Sequence, residues 1–251
     1  HYDDEAFDED RDVLLGSMDE NGIREVVNVC ASIDSLEKTK ALMEKYSFVY
    51  GAFGIHPDDA ELVTEEVLDK VRECCGLEKA VAVGEIGLDY YWHKEAGEHE
   101  LQKKVFRQQM EIARELHLPF MVHSREAAAD TLDLVKDCVN EGMYGGIIHC
   151  FSYGKEMARE YLNMGLYLGI GGVVTFNNAR KVKEVVEYAP LEQIVLETDS
   201  PYLSPVPYRG KRNCSLNLPL VAEEIGRIKG ISSEEVVRVT GDNARQLLLR
   251  K

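Results

Sequence analysis

Seven short apolar runs, each rich in β-branched or small apolar residues, recur along the 251-residue chain with helical patterns between them. They fall at residues 25–30 (EVVNVC), 48–54 (FVYGAFG), 80–86 (AVAVGEI), 119–123 (PFMVH), 145–149 (GGIIH), 166–171 (LYLGIG) and 193–198 (QIVLET). Runs of this kind suit strands buried on both faces of a parallel sheet. Helices are expected near residues 6–21, 35–45, 64–75, 98–117, 126–141, 155–164, 178–188, 217–229 and 233–249. The clearest is 98–117, where Leu101, Val105, Ile112 and Leu116 recur at helical spacing and Pro119 follows. Ser232 or Ser233 is the expected cap of the last helix. Strand and helix alternating throughout predict one α/β domain over residues 1–251, a (β/α)8 TIM barrel of ordinary size. Such barrels close with eight strands, and the first expected helix has no strand before it. The first strand is therefore expected to be largely missing from the given sequence, with His1 at its C-terminal end.

Four of the runs stop at a metal-type side chain: Glu85, His123, His149 and Asp199. A parallel barrel gathers its strand ends at one face, where a catalytic metal site can form. A carboxylate such as Glu85 can bridge two cations, because its two oxygens carry separate lone pairs. Neutral imidazoles of His123 and His149 suit zinc, iron, manganese or nickel. Asp199 can ligate through one oxygen and take a proton from water with the other, as a general base. His1 can be the surviving half of an H-x-H pair, since alternate strand residues face the same side. A lone histidine at a strand end is more often a satisfied rim residue, so the weight lies on the combination.

Weaker candidates face a substrate phosphate. His56 precedes a proline turn at a strand end, and Arg125 follows His123 by two residues. Arg125 can fork onto phosphate oxygens. Arg209 belongs to the segment YRGKR (208–212) within a long Pro- and Gly-containing loop over 200–216, which can cover a polyanion. His93, His99 and His117 are expected to be surface residues.

The net charge of −16 argues against a protein that holds nucleic acid by charge alone. Any polyanionic substrate would need a local positive site, from bound cations or residues 208–212. Six cysteines form no C-x-x-C pair and read as reduced, mostly buried thiols of a cytoplasmic protein. No stretch is apolar enough to span a bilayer, and no signal peptide is visible.

The segments GIHP (54–57), GEIGLDYY (84–91), HSREA (123–127), HCFSY (149–153), ETDSPYL (197–203) and PYRGKRN (207–213), with His1-Tyr2-Asp3, resemble the TatD-related deoxyribonuclease family. The likeness covers essentially the whole chain. It implies a metal-dependent barrel hydrolase of the amidohydrolase-like superfamily, with two divalent ions drawn from Mg, Zn, Mn, Fe or Ni. It implies His1, Glu85, His123, His149 and Asp199 as ligands, with Glu85 bridging. It also implies DNA, single-stranded or at its ends, as substrate and 3′-exonuclease character; a monomer is expected. The family's D-x-H-x-H motif survives here only as His1, so one ligand is expected to be absent from the given sequence. Asp58 stands where many relatives have a second histidine, Tyr153 replaces a usual glycine, and CSLNLP follows Asn213. An alternative use of the same site is ester or amide cleavage, such as removal of a D-amino acid from tRNA. A scaffold with an incidental metal is disfavoured, because closed structural zinc sites usually use thiolates.

Overall fold

The computed structural model describes residues 1–249. In chain order the described residues hold α1 (Arg11–Gly16), β1 (Val26–Val29), α2 (Ile33–Lys45), β2 (Val49–Phe53), α3 (Glu65–Cys75), β3 (Ala80–Asp89), α4 (Ala96–Glu115) and β4 (Phe120–Arg125). There follow α5 (Ala128–Asn140), β5 (Gly146–Ile148), α6 (Lys155–Asn163), β6 (Tyr167–Ile170), α7 (Arg180–Tyr188), β7 (Ile194–Leu196), α8 (Leu218–Lys229) and α9 (Ser233–Leu248). All seven expected strands form. The chain packs into two compact units, Glu25–Ile148 and His1–Arg24 with His149–Lys251.

In the unit Glu25–Ile148, β1 to β5 pair in sequence order, every pair parallel. Helices start where short polar side chains satisfy orphan backbone donors. Ser32 and Ser35 form a capping box at α2, and the Thr64 hydroxyl takes the Val67 N–H at α3. The core between strands and helices holds Leu36, Phe53, Val71, Val83, Phe106 and Phe120, all at most 2% exposed. β3 extends to Asp89, three residues beyond the expected end. Its last residues align with β4, placing Gly87 beside His123 and Asp89 beside Arg125. Gly87 has φ of +146°, and a Cβ there would collide with the His123 carbonyl. Only glycine lets the two strands run this close at the site.

α4 departs from expectation in the face it buries. Gln102, Val105, Phe106, Gln109, Met110, Ile112 and Ala113 point inward, while Leu101 and Leu116 are half-buried. The leucine stripe lies to one side because two glutamines occupy the middle of the buried face. The helix ends before Pro119: His117 adopts a left-handed φ of +53°, which already breaks the ladder.

In the other unit, β6 and β7 are parallel, with Leu168 beside Ile194 and Ile170 beside Leu196. α9 packs on β7, and the Asn243 amide donates to the carbonyls of Leu191 and Ile194 at 2.8 and 2.7 Å. Ser232 caps α9 through the Glu235 N–H. The single helix expected over 6–21 breaks into a 3-10 turn at Glu5–Phe7, α1, and a second turn at Asp19–Asn21. Its acidic sequence offers no continuous apolar stripe, and Arg11 instead folds back to donate to the Tyr2 and Asp4 carbonyls. Residues 57–62, 172–175, 191–193 and 215–217 form short 3-10 turns. No helix among the described residues is long and apolar enough to cross a membrane.

Candidate metal centre

Each unit holds a histidine clamped between two carboxylates. In the unit Glu25–Ile148 it is His123, at the end of β4. Its Nδ1 lies 2.9 Å from Glu85 Oε1 and its Nε2 lies 3.1 Å from Asp89 Oδ2. Glu85 is 4% exposed, and its N–H donates to the Cys30 carbonyl at 2.8 Å, which fixes the backbone carrying it. His56 Nε2 approaches the same Glu85 oxygen at 4.0 Å, so His56, Glu85 and His123 form one group of converging donor atoms.

In the other unit the histidine is His149. Its Nδ1 lies 2.6 Å from Glu197 Oε2 and its Nε2 lies 3.3 Å from Asp199 Oδ1. Glu197 Oε1 also accepts the Cys150 N–H at 2.7 Å. Gly169 leaves the space that this carboxylate fills, since a Cβ there would strike it. His1 Nε2 lies 3.5 Å from Asp199 Oδ1. Asp199 adopts φ of +54°, a conformation aspartate tolerates better than most residues. Asn213 braces that turn by donating its amide to the Thr198 carbonyl at 2.8 Å.

The proton count makes both clamps suited to cations. A neutral imidazole has one N–H and one lone pair. If His149 donates Nδ1–H to Glu197, its Nε2 lone pair faces an Asp199 oxygen. If His123 donates Nε2–H to Asp89, its Nδ1 lone pair faces Glu85. Two acceptors opposed at such distances are relieved either by a proton or by a metal ion. With a cation bound, Asp89 and Glu197 would be placed to orient the two histidines from their far side. Burial pushes the Asp89 carboxyl up, but hydrogen bonds from His123 and from the Trp92 and Tyr91 N–H groups outweigh it and bring it down to about 2. Asp89 is thus a carboxylate at neutral pH, ready to accept.

Cys150 lies with His149 and Glu197 among donor atoms that could share an ion. Burial and the charge of Glu197 push its thiol well above the ordinary range. The effective donor set is imidazole and carboxylate, which suits an open site for a borderline or hard divalent ion.

The phosphate-facing candidates separate. Arg125 is exposed and lies over the Tyr91 ring at 4.0 Å. Arg209 is exposed and lies over the Phe176 ring at 4.1 Å. Arg212 in the same loop is tied to Asp10 by two short hydrogen bonds and lies over Phe7, so it serves the local structure. Two histidines expected at the surface are half-buried. His93 Nε2 lies 3.1 Å from Asp58 Oδ1, and His99 stacks on Tyr90 at 3.6 Å. His117 is exposed as expected.

Four site residues lay outside the sequence reading: Asp89, Glu197, Gln102 and Gln109. The first two sit inside the quoted motifs, four residues after Glu85 and two before Asp199. The glutamines come from α4. Gln109 Oε1 accepts the Ile55 N–H at 2.7 Å, and its Nε2 donates to the Ile55 carbonyl at 3.0 Å. Gln102 Oε1 accepts the Asp89 N–H at 3.0 Å. Their heptad spacing on an otherwise apolar face was the available signal.

Comparison with known proteins agrees with this chemistry. The family described as TatD related DNase matches residues 1–249. An uncharacterized metal-dependent hydrolase of Bacillus subtilis strain 168, YabD, is 40% identical over 247 residues, covering 98% of this chain and 96% of that protein. A Cronobacter sakazakii protein named 3'-5' ssDNA/RNA exonuclease TatD is 30% identical, covering 97% of this chain and 94% of its own. The crystal structure of YjjV, a TatD homologue from Escherichia coli K12, superposes with a TM-score of 0.92 at 25% identity, covering 100% of this chain and 96% of that one. The fold is accordingly of the (β/α)8-barrel type, and the chain belongs to the TatD-related DNase family of metal-dependent hydrolases.

Proposed function

We propose that this protein is a deoxyribonuclease that hydrolyses phosphodiester bonds of single-stranded DNA from the 3′ end, using two divalent cations. The observation that carries the reading is the repeated clamp: in each unit one histidine stands between an orienting and a sharing carboxylate. The exonuclease name of the Cronobacter sakazakii relative supports the substrate class. His1, Glu85, His123, His149 and Asp199 are the assigned ligands, with Asp89 and Glu197 holding the two strand-end histidines in place. A divalent cation held by these residues would supply Lewis acidity toward water and a phosphate oxygen. Asp199 accepts the proton of the attacking water at a carboxylate oxygen. His56 and Arg125 hold a phosphate and offset its charge, and Arg209 is a further contact to the DNA.

The test uses a 5′-labelled single-stranded oligonucleotide with metal-depleted protein and added Mg, Mn or Zn. The expected product is a ladder shortened from the 3′ end, abolished by chelator. Asp199→Asn is expected to lower kcat by about 100-fold or more, the usual scale for a positioned general base. Absence of cleavage with every metal, or full activity in D199N, contradicts the reading.

A further inference from the structure

Beside the Glu85–His123 group stands an exposed aromatic surface that ligand chemistry leaves unused. Trp92, the chain's single tryptophan, is 65% exposed, and Tyr91 is 39% exposed. Their rings meet edge to face with centroids 4.6 Å apart. The Arg125 guanidinium lies 4.0 Å from the Tyr91 centroid and 5.6 Å from that of Trp92. The Lys94 ammonium lies over Tyr91 at 5.3 Å.

The surface is held in place by the candidate site. Asp89 Oδ1 accepts the N–H groups of Tyr91 and Trp92 at 2.8 and 3.0 Å, while its Oδ2 meets His123. Tyr90 anchors the turn from below. It stacks on His99, donates its N–H to the Arg125 carbonyl at 2.8 Å, and donates its hydroxyl to Asp130 at 2.7 Å. One buried carboxylate therefore fixes the backbone that carries both exposed rings and also meets a candidate ligand. Arg125 stands opposite Asp89 and two residues beyond His123, a step of about 6–7 Å along a strand.

We propose that Tyr91 and Trp92, with the phosphate-facing Arg125 packed against them, form a stacking platform for a nucleobase of single-stranded DNA, adjoining the phosphodiester that is cut. The proposal rests on the nuclease reading and names how that site grips its substrate. A net charge of −16 leaves little room for affinity through the phosphate backbone. Stacking does not depend on net charge, because every base offers a π face to an aromatic ring or a guanidinium plane. A duplex keeps its base faces turned inward, so the platform selects unpaired strands and frayed ends.

Trp92 supplies its own reporter. Metal-depleted protein is titrated with a single-stranded oligonucleotide and with the same backbone carrying tetrahydrofuran abasic residues, and tryptophan fluorescence is recorded. In parallel, kcat/KM for the two substrates is measured with metal in wild type, Trp92→Ala and Trp92→Phe. The base-containing strand is expected to quench the fluorescence and the abasic strand is not. The ratio of kcat/KM for base-containing over abasic substrate is expected to fall about tenfold in W92A and to be largely kept in W92F. Equal quenching by both strands, or an unchanged ratio in W92A, overturns the platform even where DNA is cleaved. Base-dependent quenching without cleavage under any metal upholds the platform as a binding surface and overturns the nuclease reading instead.

Discussion

Gln109 determines where His56 stands. It is fully buried, and it satisfies both backbone groups of the preceding Ile55 with one side-chain amide. Removing it leaves a buried N–H and a buried carbonyl with no partner there, each expensive in an apolar interior. Gln109→Ala is therefore expected to cost about 3 kcal/mol of stability, read from urea unfolding midpoints. A loss below about 1 kcal/mol contradicts the role. Residues of this kind mark the limit of what the sequence discloses. Glu85, His123, His149 and Asp199 stand out because each interrupts an apolar run at its end. Gln102 and Gln109 lie within a helix where glutamine is an ordinary helix former, and only their seven-residue spacing among apolar residues hints that they face inward. Asp89 and Glu197 were hidden differently. Each neighbours a more conspicuous residue, and only the side-chain geometry shows that the second carboxylate orients the histidine.

At the scale of elements, the strands were the legible part. Each is a short apolar run bounded by polar or small residues, and the observed ends lie within a few residues of expectation. The acidic segment before β1 was not legible, because charge spacing alone does not distinguish a helix from a string of turns. Here Asp4, Asp8 and Asp10 are engaged by local backbone, Arg11 and Arg212 rather than lying on one helical face. Packing between helices also rests on charge. Glu224 of α8 binds Arg227 within its own helix and Lys183 of α7. The Arg227 hydrogen bond, helped by Lys183 and opposed by burial, brings its carboxyl down to about 2. A carboxylate lowered on folding adds stability above its unfolded pKa, near 4.3, and loses it as pH falls toward the folded value. Glu224→Gln is expected to cost about 1 kcal/mol at pH 7, because the exposed Arg227 is screened by water. The gap from wild type should narrow when urea midpoints are compared at pH 3.5. An equal gap at both pH values contradicts the assignment.

At the scale of the molecule, there are two compact units, and each holds its own group of histidine and carboxylate donor atoms. One domain over the whole chain, as its strand–helix alternation suggests, is expected to unfold in a single cooperative step. Calorimetry of the protein should then give equal calorimetric and van't Hoff enthalpies, whereas two resolved transitions would assign the units separate stability.

The sharpest measurement is the release of nucleotides from the 3′ end of single-stranded DNA as Mn²⁺ is restored to metal-depleted protein, in wild type, His123→Ala and His149→Ala. The account predicts no release without metal, restoration in wild type, and a loss of about 100-fold or more in each variant, although the two histidines belong to different units. Metal-independent release, or a wild-type rate in either variant, would contradict it.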